Sequence, residues 1–297
     1  MKIKEFTEKI AEQVSTILGK NVQLKEVDKL NGAKFYGIII FEPNSNIAPT
    51  LYMEDFYYMY MKTGNWQETL RQIIAVYESD SFPSYLDMEW FKDFDAVRGL
   101  IFHKLINYNA NTALLEDVPH TRYLDFAIVY CVYYENEETG AGSILIHNNH
   151  LELWNRTTHD LARFAEENTP RRYPLTVSSM ESILWDCMDI PGDCPVDAEG
   201  SLPVPLYVMS NDKRCNGAIT ICYKDSLKNF AMSKNSDVAI LPSSLHEVIL
   251  LPVNANDDFR ELKDMVYEVN RSHLSKEEFL SDNIYLYRRD TDNVEIV

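Results

Sequence analysis

The longest apolar runs in this chain have the length of single β-strands, as in 127–134 and 248–253. A helix that spans a bilayer needs about 20 apolar residues, so we expect no membrane-spanning segment. Elsewhere, apolar residues recur at three- and four-residue spacing, which is typical of helices that bury one face. Strand hairpins combined with such helices predict an α+β fold, with mixed, largely antiparallel sheets and helices packed mainly on one side.

The first 92 residues are predicted to form a helix–hairpin–helix subdomain. A helical apolar stripe stops at Gly19, and the Asn31-Gly32 pair lies between two strand-like runs, which is a hairpin signal. The Tyr- and Met-rich pattern at 51–61 is interpreted as a helix that covers the hairpin rather than as a partner-binding surface. The predicted elements are a helix over 3–18, strands over 22–30 and 34–42, and helices over 51–61 and 66–77.

Residues 93–297 are predicted to form a larger α+β domain. The segment 87–108 gives no clear pattern, whereas the proline-rich, acidic segment 189–205 is predicted to be an exposed loop. Strands are predicted at 123–134, 143–147, 206–209, 218–223, 238–241, 248–253, 284–287 and 294–297. Helices are predicted at 109–117, 157–167, 179–188 and 226–232, followed by one long helix with Phe259, Leu262, Val266 and Val269 on one face.

The charge of the chain argues against nucleic-acid binding. The 46 acidic residues exceed the 28 basic residues by 18, and such a chain repels a phosphate backbone. We expect an acidic surface, which either serves solubility alone or attracts a basic protein as partner. Acids are densest at 135–138, 186–199 and 257–264. Neither glycine-rich phosphate-loop motif is present, and we expect no cofactor.

The cysteines predict reduced thiols rather than disulfides or a zinc site. Five is an odd number, and the N-terminus lacks the apolar core and cleavage site of a signal peptide, so we expect a cytoplasmic protein. The pairs Cys187–Cys194 and Cys215–Cys222 have six intervening residues, more than zinc knuckles use. A three-cysteine site at 187, 194 and 215 with a histidine from elsewhere is the alternative.

Several segments of the chain resemble one bacterial family. They are VPHTRYLDFAIVY, ILIHNNHLELW, AEENTPR, LPSSLHEVILLP, MVYEVNRSHLSKEEFLSDNIYLY and the earlier NSNIAPTLYMEDFYYMY. Together they are similar to the domain-of-unknown-function family numbered 5688, found in Gram-positive anaerobes. The resemblance covers nearly the whole chain and implies a cytoplasmic bacterial protein that evolved as one unit. It carries over no catalytic residue.

The segment Ser243-Ser244-Leu245-His246-Glu247 is the most enzyme-like string in the chain. A serine triad needs an acid behind the histidine, yet adjacent side chains diverge on a strand and on a helix, so Glu247 cannot orient His246. The metal motif HExxH would need a histidine at position 250, where Leu250 stands. The spacing of Ser244 and Glu247 favours a capping box at one helical turn.

Histidines at 147, 150 and 159, with Glu152 and Asp160 nearby, form the densest group of metal-ligand types in the sequence. His147, His150 and His159 are candidate metal ligands. The alternative is that His150 packs at a helix start and His159 faces solvent. Because metal sites need three or four supported ligands, we expect no metal.

Asp125 lies inside an otherwise apolar strand, which is unusual for a carboxylate. It is predicted either to form an ion pair with Arg122 or His120, or to act as a general base.

We interpret the chain as a non-catalytic binding or accessory protein that acts through its acidic surface. The alternative is a hydrolase-like or metal-dependent enzyme whose site gathers His120, Asp125, His150 and His246.

Overall fold

The computed structural model describes residues 1–79, 85, 87–136, 140–187, 204–254 and 257–297. Within these ranges the chain divides into two compact units, one of residues 1–92 with 134–142 and the other of residues 93–133 with 143–297. Helices and antiparallel sheets occur in the same chain, so the predicted α+β class is confirmed. The predicted acidic loop at 189–205 lies outside the described residues, apart from its last two positions.

The first unit contains three helices and one three-stranded antiparallel sheet of order β1-β2-β3. Its elements are α1 (Ile3–Leu18), β1 (Asn21–Asp28), β2 (Lys34–Phe41), β3 (Thr50–Tyr52), α2 (Glu54–Thr63) and α3 (Trp66–Ser79). The apolar stripe of α1 is buried against the sheet, and the helix ends at Gly19, whose φ of 65° lies in the left-handed region.

The predicted helix over 51–61 begins later than expected. Its first two residues end β3, and α2 starts at Glu54. One side of α2 packs on the core through Phe56, Tyr57 and Tyr60, while Tyr58 faces solvent.

The second unit contains a six-stranded antiparallel sheet and a four-stranded sheet. The six-stranded sheet has the order β13-β12-β10-β11-β9-β8, and in the other the order is β4-β6-β5, with β7 also paired to β6. Its strands are β4 (Ile101–Asn107), β5 (His120–Tyr123), β6 (Phe126–Asn136), β7 (Gly140–Leu145), β8 (Leu175–Ser179), β9 (Tyr207–Asn211), β10 (Asp237–Pro242), β11 (Val248–Val253), β12 (Tyr285–Arg288) and β13 (Asn293–Ile296). Residues 134–142, at the ends of β6 and β7, group with the first unit.

The helices of the second unit are mostly short. They are α4 (Phe94–Val97), α5 (Thr112–Leu115), α6 (Asn148–Trp154), α7 (Thr158–Arg172), α8 (Met180–Cys187), α9 (Ser226–Lys234) and α10 (Arg260–His273). Within the described residues, no helix combines the length and the apolar character that crossing a bilayer requires.

Further predictions for the second unit differ from the structure. The expected strand at 218–223 is a 3-10 helix, Gly217–Cys222, stabilised by a bond from the Thr220 hydroxyl to the Gly217 carbonyl. Helix α7 does not end before Pro170 but continues through it for its last two residues. Val269 is 47% exposed, because Val266 and Asn270 form the buried side of α10 instead.

Candidate functional site

A small cavity lies in the second unit, where β4, α7, the end of β9 and the 3-10 helix Gly217–Cys222 meet. Its volume is about 30 Å³. It is lined by Phe102, His103, Thr169, Tyr173, Asn211, Cys215, Asn216 and Ile219. The wall therefore combines aromatic and aliphatic surface with an imidazole, a thiol and two amides.

His103 is the most unusual group in this wall. It lies on β4, which is buried along almost its whole length, and only 5% of the residue is exposed. Its backbone N–H donates to the Thr169 hydroxyl at 3.1 Å, but its Nε2 has no hydrogen-bond partner in the described part of the chain. Burial lowers the pKa of the imidazole to about 4, so the ring is neutral at pH 7. A buried polar atom without a partner costs roughly 1–3 kcal/mol.

Helix α7 fixes the position of β4 beside the cavity. The Asn168 amide donates to the carbonyls of Arg98 and Ile101 at 2.8 and 3.0 Å. The Thr169 hydroxyl, which accepts from His103, donates in turn to the Ala165 carbonyl at 2.6 Å. Both hydrogen-bonding roles of Thr169 are thus used within the protein.

The loop that carries Cys215 is braced by Asn211. The side-chain oxygen Oδ1 of Asn211 accepts from the backbone N–H groups of Lys213 and Cys215, and the side-chain amide N–H of Asn211 donates to the Cys215 carbonyl at 2.8 Å. Arg214 and Asn216 have φ values of 49° and 51°, so the chain turns tightly on both sides of Cys215. Cys215 is exposed, and the Asn216 amide donates to its Sγ at 3.4 Å.

His246 holds the far side of the same loop. Its Nδ1 accepts from the Asn216 backbone N–H at 3.1 Å, and its carbonyl accepts from the Ser210 hydroxyl at 2.7 Å. A Cβ on Gly217 would collide with that serine hydroxyl and with the His246 carbonyl, so the close approach requires glycine. His246 therefore supports the wall that carries Cys215.

The Ser-Ser-Leu-His-Glu segment is a turn without a helical hydrogen-bond pattern. Ser244 accepts from the His246 N–H through its hydroxyl at 3.0 Å, and its own N–H donates to the Glu247 carbonyl at 3.2 Å. The carboxylate near the His246 ring belongs to Glu278, whose Oε1 lies 3.5 Å from Nε2. The ring nitrogens thus face a backbone amide and Glu278.

Asp125 accepts three hydrogen bonds from a distant segment. The hydroxyl of Ser281 and the amide of Asn283 donate to Oδ2 at 2.9 and 3.0 Å, and the Tyr285 hydroxyl donates to Oδ1 at 2.6 Å. Burial and this contact raise the pKa of Tyr285. The nearby His120 makes a different contact, between its Nδ1 and the Val118 carbonyl at 2.9 Å.

The histidines near α6 make local contacts. His147 lies 2.7 Å from Asp117 through Nδ1, and its backbone N–H donates to Nδ1 of His150 at 3.1 Å. Burial, followed by the proximity of His147, lowers the pKa of His150. His159 is exposed on α7. Across the ranges that the structure describes, no three or more His, Cys, Asp or Glu side chains are grouped so that they could hold a metal ion.

The sequence pattern did not reveal His103, although it singled out Cys215 as a loop cysteine. His103 stands in the apolar run IFHKLIN, just as Asp125 stands at the start of the apolar run 126–134. The strand predicted at 123–134 begins only at Phe126, so Asp125 lies in the turn before β6. The same signal, a polar residue inside or next to an apolar run, was therefore present. Because the sequence of 87–108 predicts no clear element, His103 could not be placed in a buried strand from the sequence. Of the four residues predicted for a composite enzyme site, His246 is the one that contacts the wall of this cavity.

Comparison with known proteins identifies the family. A family model described as "Family of unknown function (DUF5688)" matches residues 3–289 of the 297 residues. The chain belongs to this family, as the sequence resemblance predicted. Searches of curated proteins and of solved structures each gave no match.

Proposed function

We propose that this member of the DUF5688 family is a binding protein that takes a small, neutral, polar ligand in the His103 cavity. The observation that supports this proposal is the buried Nε2 of His103, which has no partner in the described part of the chain and belongs to a residue of the cavity wall. Buried polar atoms in folded proteins almost always have a hydrogen-bond partner. A ligand that bonds to Nε2 satisfies that requirement.

The volume limits the size of the ligand. One water-sized group needs about 10–15 Å³, and the cavity offers about 30 Å³. The space therefore fits a molecule, or the tip of a molecule, of about two non-hydrogen atoms. Larger ligands would have to displace the buried side chains Phe102 or Ile219.

The wall favours a neutral ligand over an ion. His103 is uncharged at pH 7, and the amide of Asn211 and the hydroxyl of Thr169 already bond to the protein. A charged ligand would lose its hydration without gaining an opposite charge from these groups. A neutral molecule with one hydroxyl needs only the one hydrogen bond that Nε2 offers.

Nuclear magnetic resonance of the histidine side chains tests this proposal with two alcohols of different size. We expect methanol to shift the His103 Nε2 resonance in a saturable manner, whereas tert-butanol at the same concentration leaves it unchanged. The exposed His159 in the same sample reports general solvent effects. Equal shifts with both alcohols, or no shift with methanol, would contradict the proposal.

The outer face of α10 supports a second candidate function, docking of a basic protein partner. Glu261, Asp264 and Glu268 lie at spacings of three and four residues and are all exposed, so they form one ridge on the helix. Met265 beside this ridge is 52% exposed. A partner with basic and apolar side chains would complement this α10 ridge.

A further inference from the structure

We infer that Cys215 is a thiol that reacts with small hydroperoxides, and that the cavity selects the oxidant by size. This inference rests on the proposed function, because the peroxide occupies the same cavity. It adds a chemical step that ligand binding alone does not require.

The cavity wall contains two suitable groups, Cys215 and His103, around one small space. Cys215 is a free and exposed cysteine, so an oxidant can reach its sulfur, and the thiolate is in general the reactive form of cysteine. His103 supplies a neutral imidazole whose Nε2 has no partner in the described part of the protein. Hydrogen peroxide has two oxygen atoms, which matches a volume of about 30 Å³.

In the proposed step, the Cys215 sulfur attacks one oxygen of the peroxide. A sulfur–oxygen bond forms and the oxygen–oxygen bond breaks, so the sulfur is oxidised by two electrons to a sulfenic acid and the peroxide is reduced. The departing hydroxide takes up one proton from water, equivalent to the proton that the thiol released. The sum is one thiol and one hydrogen peroxide giving one sulfenic acid and one water.

His103 stabilises the departing oxygen in this step. With a proton on Nε2, the neutral imidazole donates a hydrogen bond to the oxygen on which negative charge develops. A donor held in a buried, fixed position is more effective than water, because it needs no reorientation during the reaction. The hydrogen bond from His103 N–H to Thr169 and the anchoring of α7 keep the donor in place.

Cys222 and Cys131 serve as internal references. Burial raises the pKa of the Cys222 thiol to about 12 and also raises that of Cys131. Both thiols are therefore protonated at pH 7 and are expected to react slowly. A difference in oxidation rate between Cys215 and these two cysteines reflects their local environments, because all three are in the same protein.

The size selection is tested on the unmodified chain. The protein is treated with hydrogen peroxide or with tert-butyl hydroperoxide, sulfenic acid is trapped with dimedone, and labelling of each cysteine is followed by peptide mass spectrometry. We expect the rate ratio of the two oxidants at Cys215 to be at least about tenfold higher in the folded protein than in urea-unfolded protein. Equal ratios in the two states would overturn the inference.

The role of His103 is tested with the variants His103→Leu and His103→Gln. We expect His103→Leu to slow peroxide oxidation of Cys215 at least about tenfold, since loss of one preorganised donor typically costs 100-fold or more. His103→Gln, which retains a donor, should recover part of the rate. Iodoacetamide alkylation of Cys215 should stay within about twofold of the unmodified chain, because it needs only an accessible thiol. Unchanged peroxide rates in folded His103→Leu would overturn the assigned role.

The two proposals fail in different ways. If methanol shifts His103 but Cys215 shows no size selection, the cavity binds small ligands and the thiol chemistry is wrong. If neither experiment responds, the proposed ligand site itself is wrong. Should His103→Leu not fold, the comparison of the two oxidants on the unmodified chain still decides the question.

Discussion

His103 is a titratable side chain whose surroundings hold it neutral. The folded chain keeps its pKa at about 4, whereas a histidine in an unfolded chain has a pKa of about 6.5. Between these two values the unfolded state binds a proton that the folded state does not. Stability therefore falls as the pH is lowered through this window.

We expect the free energy of unfolding to decrease by roughly 3 kcal/mol between pH 6.5 and pH 4 because of His103 alone, at about 1.4 kcal/mol for each pKa unit. The variant His103→Gln should lack this decrease, and His159→Gln, which changes an exposed histidine, should retain it. Urea unfolding of the three proteins across this range measures the effect. The same pH dependence in His103→Gln and the unmodified chain would show that the imidazole is not held neutral.

Asp125 shows what could and could not be foreseen for a single residue. Its position in a predicted apolar strand indicated a buried carboxylate with partners. The residue is half-buried in the turn before β6, and it does have partners. The sequence suggested the neighbours Arg122 and His120, whereas the donors are Ser281, Asn283 and Tyr285. Local patterns indicate that a buried charge needs compensation, but the compensating groups are set by the tertiary fold.

At the level of the elements, these three hydrogen bonds connect the turn before β6 with the segment that leads into β12. The turn includes Leu124, whose φ is 55°, so its backbone is in a conformation that few non-glycine residues adopt. Three donors on one carboxylate hold the turn in this conformation. The contact also links the four-stranded sheet with the six-stranded sheet inside the second unit.

The variant Asp125→Asn is expected to destabilise the protein by roughly 1–3 kcal/mol. Asparagine replaces one acceptor oxygen by an NH₂ donor, and in either orientation this donor faces at least one of the three existing donors. Thermal unfolding compared with the variant Asp290→Asn, at an exposed position, measures the effect. Equal stability of the two variants would mean that the carboxylate does not hold the turn.

Elements with local periodicity were predicted well, and elements defined by distant contacts were not. Helix α1, the β1–β2 hairpin, β10 and β11 follow from apolar spacing and turn residues. In contrast, β4 is buried along nearly its whole length, so its sequence shows no alternation. The segment 217–222 is as apolar as a strand but forms a 3-10 helix. At its start Gly217 packs closely against the His246 carbonyl, a distant contact that the local sequence does not reveal. The cavity was missed because it lies between these two elements.

For the molecule as a whole, the charge of −18 was predicted to lie at the surface and to attract a basic partner. Of the three acid-rich segments, 135–138 and 186–199 fall largely outside the described residues. The third, 257–264, leads into α10 and contributes to the α10 ridge. The docking of a basic partner stays a prediction.

We expect the triple variant E261Q/D264N/E268Q to lose a basic partner that the unmodified chain retains. The control E116Q/E152Q/E166Q removes the same charge from other exposed positions of the second unit. Affinity capture from a bacterial extract, followed by quantitative proteomics, compares the three baits. Retention should also weaken towards 1 M salt, where the screening length falls to about 3 Å. If the same proteins are captured by all three baits and their retention does not depend on salt, the prediction that the α10 ridge binds a basic partner is wrong.

The long-range hydrogen bonds of Asp125 join residues that the ribosome adds at different times. Tyr285 lies 160 positions after Asp125, and ribosomes add roughly 5–20 residues per second. The donor is therefore synthesised roughly 10–30 s after its acceptor. During this interval the Asp125 carboxylate can accept hydrogen bonds from water but not from these three donors. The native set of hydrogen bonds on Asp125 therefore forms only after the segment 281–285 has been made.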